Sequence, residues 1–387
     1  MTADSIVVVG AAGTQARAML QYLSRAMDLS GLVAVDLRWP DEVRTEVEKL
    51  GVEVITGNVL ADDRDRLLNR QPATTLLVNL AGPYYVIGTS LLELALELGA
   101  DYLDICDDVD ATERLLELDG DARSKGIRAL IGMGSSPGTT NILIRTALDA
   151  LGTPERATVD LAWTVDRSDM TRAAFDHVMH CYATALPSSM GVPEWDELEP
   201  RYVDFPPPVG RQLTVRLGHP EPLTISHFAG VSQAVNRGGT SPDEHAHLTW
   251  AIARLVDPER MEGAVDDRLW NLYCQYDRIG TERWTRIGSG LQIDVTVDGD
   301  GYRFASGSDM TMEEATGTPA AAGVLLMLDR ALPDPGVWAP ECLAPISFFE
   351  KLRQVSTGGG GLHLLHLRDG RPAEPGRIRD LLDKRAQ

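Results

Sequence analysis

Two glycines and one carboxylate near the start of the chain have the types and spacing needed to hold a pyrophosphate. In "VVVGAAGTQARAML", from Val7 to Leu20, the pattern is Gly10-x-x-Gly13-x-x-Ala16. A dinucleotide site needs a sharp turn between strand and helix, bare backbone beside the phosphates, and a small residue where helix packs on strand. Gly10, Gly13 and Ala16 meet those needs in that order. Ala12 and Gln15 stand where the strict G-x-G-x-x-G pattern has glycine, so the turn alone does not separate a phosphate site from a structural glycine turn. Asp36 tips the reading. It ends the second apolar run about 20 residues further on, where a carboxylate accepts the ribose hydroxyls of an adenosine. A helix cap or a solvated strand end is the other role open to it. Gly10, Ala12, Gly13, Thr14, Gln15 and Asp36 are therefore expected to bind a nicotinamide dinucleotide. Asp36 repels a 2′-phosphate and Arg38 attracts one, which leaves NAD and NADP both open with a slight preference for NAD.

These residues need a scaffold, and the sequence supplies one. Up to about Ile131, short apolar runs alternate with helical patterns. "SIVVVG", "LVAVD", "VEVITGN", "TLLVNLAG", "DYLDICDD" and "IRALIGMG" read as six strands, and "SLLELALELGA" as a helix that Gly99 can end in a left-handed cap. Strands apolar on both faces, alternating with helices, demand a parallel sheet with right-handed crossovers and helices on both sides. The expectation is a doubly wound α/β domain over residues 1–140. Beyond it, "ATVDLAWTV", "RQLTVRL", "EPLTISHF" and "LQIDVTVDG" read as strands with one covered face, and "TRAAFDHVMHCYATAL" and "DEHAHLTWAIARLV" as helices. They predict an α+β domain over residues 141–310. Residues 311–387 are expected to form a helix, "TPAAAGVLLMLDRAL", closed by "PDPGVWAP", then "ISFFEKL", a flexible link at Gly358 to Gly361 and a polar tail, returning toward the first domain.

Composition narrows the function classes. The chain of 387 residues carries a formal charge of −21, which repels nucleic acid and anionic lipid. No run approaches the roughly 18 consecutive apolar residues of a membrane span, and no basic-then-apolar leader opens the sequence, so a cytoplasmic protein is expected. Cys106, Cys181, Cys274 and Cys342 form no C-x-x-C pair and read as reduced thiols, without a zinc site or disulfide framework. Cys106 reads as a small buried hydrophobe. His177 and His180 share a helix face, but no third ligand stands at recognisable spacing; His245 and His247 diverge on a helix. No metal is expected.

The stretches Leu76 to Asp108 and Ala129 to Asn141 hold an ordered set of features: N-x-A-G-P-Y at Asn79 to Tyr84, G-x-x-Y-x-D at Gly99 to Asp104, the pair Asp107 and Asp108, and G-x-x-x-x-P-G-x-x-N at Gly132 to Asn141. In these the chain resembles the saccharopine dehydrogenase-like family of NAD(P)-dependent oxidoreductases, which includes saccharopine reductases, carboxynorspermidine dehydrogenases and lysine 6-dehydrogenases. "FPPPVGRQLTVRLGHPEPLTI" and "TGTPAAAGVLLML" extend the resemblance, more loosely, over nearly the whole chain. Ala12 and Gln15 depart from it, because family members usually carry glycine there.

The resemblance implies a Rossmann-type first domain, a second domain for substrate and dimerisation, a homodimer, and hydride transfer at the carbon of a carbon–nitrogen bond in an amino acid-derived substrate. Cofactor would lie across the carboxyl ends of the strands, where Ala81, Gly82 and Pro83 form a small turn after the fourth strand. Tyr84, Asp107 and Asp108 follow strands four and five at that edge and are the candidate proton donors or acceptors. A stacking role for Tyr84 and a helix-start role for the two aspartates are the alternatives. Ser135 to Asn141 open a helix whose N–H groups could orient a carboxamide or a carboxylate, or which Thr139, Thr140 and Asn141 merely cap. Asn141, His177 and Arg237 are the candidate substrate contacts, Arg237 as a bidentate fork on a Gly-rich loop. Two other classes stay open: a short-chain-dehydrogenase-like alcohol dehydrogenase or epimerase, which would normally carry a Tyr-x-x-x-Lys pair absent from "YYVIG", and a dinucleotide sensor without activity.

Overall fold

The computed structural model describes residues 5–61, 64–65, 73–166, 170–187, 191–256, 266–280, 288–356 and 361–384. The chain divides into two units, residues 1–142 with 313–358, and residues 143–312 with 359–387.

In the first unit, strands β1 (Ser5–Val9), β2 (Leu32–Asp36), β3 (Glu53–Thr56), β4 (Thr74–Asn79), β5 (Asp101–Asp104) and β6 (Arg128–Leu130) form a parallel sheet with β13 (Gly336–Trp338). The order is β13-β6-β5-β4-β1-β2-β3. This is the doubly wound α/β architecture, and its order reverses between β1 and β4. All five residues of β1 are buried, the burial expected of a strand covered on both faces. The reversal matters for function, because the loops leaving β1 and β4 diverge there and open a crevice at the carboxyl ends of the strands.

β13 lies in "PDPGVWAP", which reads as a loop in the sequence. Its three residues are too few for any periodicity, and its pairing with β6 is parallel and distant in the chain. The preceding helix, Met312–Leu328, is buried all along Gly317–Met327. Small residues permit that depth: a methyl on Gly317 would lie 2.7 Å from the Met19 nitrogen, and one on Gly323 would lie 2.5 Å from Met133 Cγ.

The second unit holds an eight-stranded mixed sheet in the order β15-β14-β12-β11-β7-β10-β9-β8. Its strands are β7 (Ala157–Asp166), β8 (Arg201–Phe205), β9 (Gly210–Arg216), β10 (Gln233–Ser241), β11 (Ser289–Val297), β12 (Asp300–Ser308), β14 (His363–Arg368) and β15 (Arg371–Gly376). Helices Arg172–Ala183 and Asp243–Ala253 pack around a core that includes Phe175, Met179, Tyr182, Ile252 and Tyr273.

Three sequence expectations change in the fold. "EPLTISHF" is not a strand but the helix Glu221–Ala229. Proline in the first turn, an acidic Glu221 beside it and a left-handed Gly230 at the end are helix signals that outweigh the apolar alternation. Arg237 lies in strand β10 and not on a Gly-rich loop. Gly238 and Gly239 mark close approach within the sheet, since a methyl on them would come to 2.3 Å from Trp163 Cζ2 and 2.2 Å from the Leu213 oxygen. The segment 311–387 does not act as one piece: residues 313–358 belong to the first unit and 359–387 to the second, where the polar tail supplies β14 and β15. Of the glycine run, residues 358–360 lie outside the described residues. Among the described residues no helix is long and apolar enough to cross a membrane.

Candidate functional site

At the β1 turn, Gly10 has φ +76°, and a methyl there would lie 2.5 Å from the Ala81 nitrogen. Only glycine permits both the left-handed turn and this contact between the β1 and β4 loops. The Gly10 and Ala11 N–H groups donate to the Val35 carbonyl, which leads the chain past the end of β2. Gly13 is exposed and serves as N-cap of the helix Thr14–Leu23, and no side chain caps that helix. Its first N–H groups therefore face the crevice with the positive end of the helix dipole. Ala16 is buried behind them against the sheet.

The half-buried Asp36 accepts from the Ala12 N–H at 3.0 Å and from the Arg38 N–H at 3.2 Å. It thus fixes the turn and places a negative charge beside it at the end of β2, while the Arg38 side chain is exposed. Thr14 and Gln15 open the helix, half-buried. The residues present fit a dinucleotide: open helix N–H groups, an exposed glycine where phosphate would approach, and a carboxylate at the ribose end.

Beneath the β4, β5 and β6 loops runs a buried hydrogen-bond network. Asn79 Nδ2 donates to the Tyr102 hydroxyl, which donates to Asp104 Oδ2 at 2.9 Å. Asp104 Oδ1 also accepts from Gly132 and Cys106 N–H at 2.7 and 3.0 Å. Asn79 Oδ1 accepts from the Ala81 N–H, so the network ends directly under the Ala81-Gly82-Pro83 turn. Burial lifts the Asp104 carboxyl from 3.8 to about 6, against the pull of its three donors.

That shift has a consequence for stability. Between 3.8 and about 6 the folded protein holds a proton that the unfolded chain releases, so Asp104 favours folding fully below that window and loses this contribution as pH rises through about 6. Asp104→Asn should flatten the fall in unfolding free energy across those pH values by about 2–3 kcal/mol relative to wild type. Urea denaturation at a series of pH values measures it, and parallel wild-type and variant curves would exclude Asp104 as the source.

The three acid–base candidates divide. Tyr84 is buried, donates to the Asn79 carbonyl at 2.9 Å and accepts from the Ile105 N–H. Burial first, then the charges of Asp104, Cys106 and Asp107, push its phenol well above 10.0. Asp108 is buried, accepts from the Tyr85 N–H at 2.9 Å and stands at the N-cap position of the helix Val109–Glu117 without a side-chain cap bond to that helix. Both tie loops together. Asp107 is partly exposed and so is the member of the three that a substrate can reach. Cys106 is wholly buried, and burial drives its thiol well up.

The substrate candidates are engaged elsewhere. Asn141 is buried, with Oδ1 accepting from the Gly138 N–H and Nδ2 donating to the buried Glu341 at 2.9 Å. The Thr139 and Thr140 N–H groups donate to the Gly134 and Ser135 carbonyls, so these donors are not offered to a carboxamide or carboxylate as the sequence suggested. Arg237 donates to the Glu199 carbonyl at 2.8 Å and to its carboxylate at 2.5 Å. Its fork therefore grips Glu199, a non-glycine residue with φ +47°, and not a ligand. His177 stands with Nε2 3.2 Å from Cys181 Sγ.

Sequence reasoning quoted Asn79, Tyr102, Asp104 and Gly132 inside motifs but gave them no role. The signal was polar residues at the ends of apolar strands, Asn79 closing β4 and Asp104 closing β5. Glu341, 200 residues from Asn141, had none.

Residues 6–130 match the family model described as the saccharopine dehydrogenase NADP binding domain. No curated protein matches the chain. Among solved structures, the chain is similar to the apo saccharopine dehydrogenase (L-Glu forming) of Saccharomyces cerevisiae, with TM-score 0.58 and 13% identity over 94% of this chain and 99% of that one. It is also similar to the homospermidine synthase of Legionella pneumophila in complex with NAD, with TM-score 0.61 and 11% identity over 95% and 92%. At such identities these two share the fold. Motif order, the β1 turn and the domain match agree: residues 6–130 are similar to the nucleotide-binding domain of the saccharopine dehydrogenase-like family.

Proposed function

We propose that the protein is an NAD(P)-dependent oxidoreductase that moves a hydride to or from the carbon of a carbon–nitrogen bond in an amino acid-derived substrate. The observation that carries this reading is the β1 turn: a left-handed Gly10 locked on Ala81, an uncapped helix start at exposed Gly13, and Asp36 closing the β2 end. Backbone donors at residues 14–16 would hold the pyrophosphate, and Asp36 the ribose hydroxyls. The bound dinucleotide supplies or accepts the hydride. The Ala81-Gly82-Pro83 turn, held from below by Asn79, offers a small surface for a flat ring, since a methyl on Gly82 would meet nothing within 4 Å.

Asp107 supplies the charge this chemistry asks for. An imine is reduced more readily when protonated, and a carboxylate beside it stabilises the cation. The names of the two structural neighbours, a saccharopine dehydrogenase and a homospermidine synthase, support a substrate with carbon–nitrogen bonds. NAD is favoured because Asp36 stands where a 2′-phosphate would have to lie.

The test is NADH and NADPH oxidation by the full-length protein against mixtures of amino acids or diamines with carbonyl compounds, and reduction of NAD and NADP with secondary amines. Turnover of a carbon–nitrogen substrate with NADH is expected, with kcat/KM about 10-fold above that with NADPH, the ratio given by about 1.4 kcal/mol. Binding of dinucleotide without turnover would leave a sensor, and turnover of alcohols alone would leave an alcohol dehydrogenase; either result overturns the proposal.

A further inference from the structure

The second unit brings together three side chains that the sequence holds apart. His177 and Cys181 lie one turn apart on the helix Arg172–Ala183, and His219 stands just before the helix Glu221–Ala229. One nitrogen or sulfur atom from each falls within 4.8 Å of the other two. Cys181 Sγ is 3.2 Å from His177 Nε2, and the rings of His177 and His219 meet edge to face at 6.2 Å. Bonds of about 2.3 Å to sulfur and about 2.0 Å to nitrogen at a tetrahedral centre put ligand atoms about 3.5 Å apart, so small rotations of these side chains close the geometry.

The backbone around the cluster is rigid. The Gly218 N–H donates to the Cys181 carbonyl at 2.9 Å, and a methyl on Gly218 would lie 2.1 Å from Thr184 Oγ1, so the segment carrying His219 sits hard against the helix carrying Cys181. Cys181 and His219 are 2% and 6% exposed. His219 Nδ1 is buried and makes no hydrogen bond. It faces Glu221 Oε2 at 3.6 Å, and Glu221, itself buried, accepts from Asn236 Nδ2 at 2.8 Å. Asn236 in turn accepts from Trp163 Nε1. A carboxylate behind an imidazole, itself held by a further donor, is the arrangement that orients histidine ligands on metals.

We propose that His177, Cys181 and His219 form a binding site for one divalent transition-metal ion of the zinc class, with Glu221 as the outer carboxylate of His219. Two imidazoles and one thiolate suit zinc, and cobalt in its place. Half-buried His177 leaves an approach for the ion and for a fourth, small ligand. The site would tie the 217–221 segment to the helix Arg172–Ala183.

Titration of the chelator-treated, full-length protein with cobalt(II), without dinucleotide, tests it. One equivalent should produce a sulfur-to-cobalt charge-transfer band, abolished by one equivalent of zinc. Cys181→Ser should lose the band. Glu221→Gln should keep it with affinity about 10- to 100-fold weaker. His363→Ala, at the exposed first residue of β14, should behave as wild type. If Cys181→Ser fails to fold, His177→Ala, at a half-buried position, should weaken cobalt binding at least about 100-fold. A folded wild-type protein that yields no charge-transfer band, or a band that survives Cys181→Ser or His177→Ala unchanged, overturns the site. Because no dinucleotide is present, this outcome is separate from that of the hydride-transfer assay.

Discussion

Gly13→Asp should weaken binding of NADH and NADPH at least about 100-fold while leaving the fold intact. Gly13 is exposed, its φ of −64° suits any residue, and a methyl there meets only the Gly10 oxygen, at 3.1 Å. That contact is tight and asks the turn to give by a few tenths of an ångström. Aspartate is also a good N-cap, so the helix Thr14–Leu23 should be as stable as before or slightly more so. Its carboxylate, however, would occupy the helix end where the pyrophosphate is proposed to bind. Two unit charges about 5 Å apart at an effective dielectric near 20 repel by about 3 kcal/mol, which corresponds to a loss of about 100-fold or more. Calorimetry with each dinucleotide, paired with thermal unfolding of the unliganded variant, separates the two effects. Unaltered affinity in the folded variant would remove the helix start at residues 14–16 from the phosphate site and with it the proposed function.

Gly138→Ala should cost at least about 4 kcal/mol, a large share of the stability of an ordinary domain. Gly138 has φ +126°, and a methyl on it would lie 1.9 Å from the Gly134 oxygen and 2.5 Å from that residue's carbonyl carbon and nitrogen. All three are backbone atoms, so no side chain can swing away. The turn is also closed by the Gly134 N–H on the Pro137 carbonyl and the Thr139 N–H on the Gly134 carbonyl. Opening it would disturb the Asn141 to Glu341 contact and the neighbouring Met133 N–H bond to the Asp104 carbonyl. Gly99→Ala is the control: its φ is +69°, but nothing lies within 4 Å, so only the left-handed strain of about 1–2 kcal/mol applies. Urea unfolding of both variants should show the Gly138 cost to be at least twice that of Gly99. Equal costs would mean that the 134–138 turn yields more readily than its packing indicates.

Much of the site's frame was legible because the physical demands on it are local. A phosphate turn requires glycine where φ is positive or backbone approaches, and Gly10 shows both demands in one residue. Asp36 was legible from its place at a strand end. The partners of Tyr84, Asp108, Asn141 and Arg237 were not, because each was judged by its reach from a loop or helix start, whereas the folded chain gives each a backbone or carboxylate partner between 5 and 200 residues away. A side chain with a partner at hand and no solvent cannot also serve a substrate without leaving that partner unsatisfied.

The sequence by itself determined the doubly wound sheet, the nucleotide turn at its first strand and the carboxylate at its second. Strands buried on both faces must be apolar throughout, and crossovers between them must be helical, so the pattern has one folded solution. Only the tertiary structure decided that "GVW" adds a seventh strand, that the segment after Pro220 coils into a helix, and that His219 meets a cysteine 38 residues earlier in the chain. Those outcomes rest on packing between distant segments, which no local run of residues encodes.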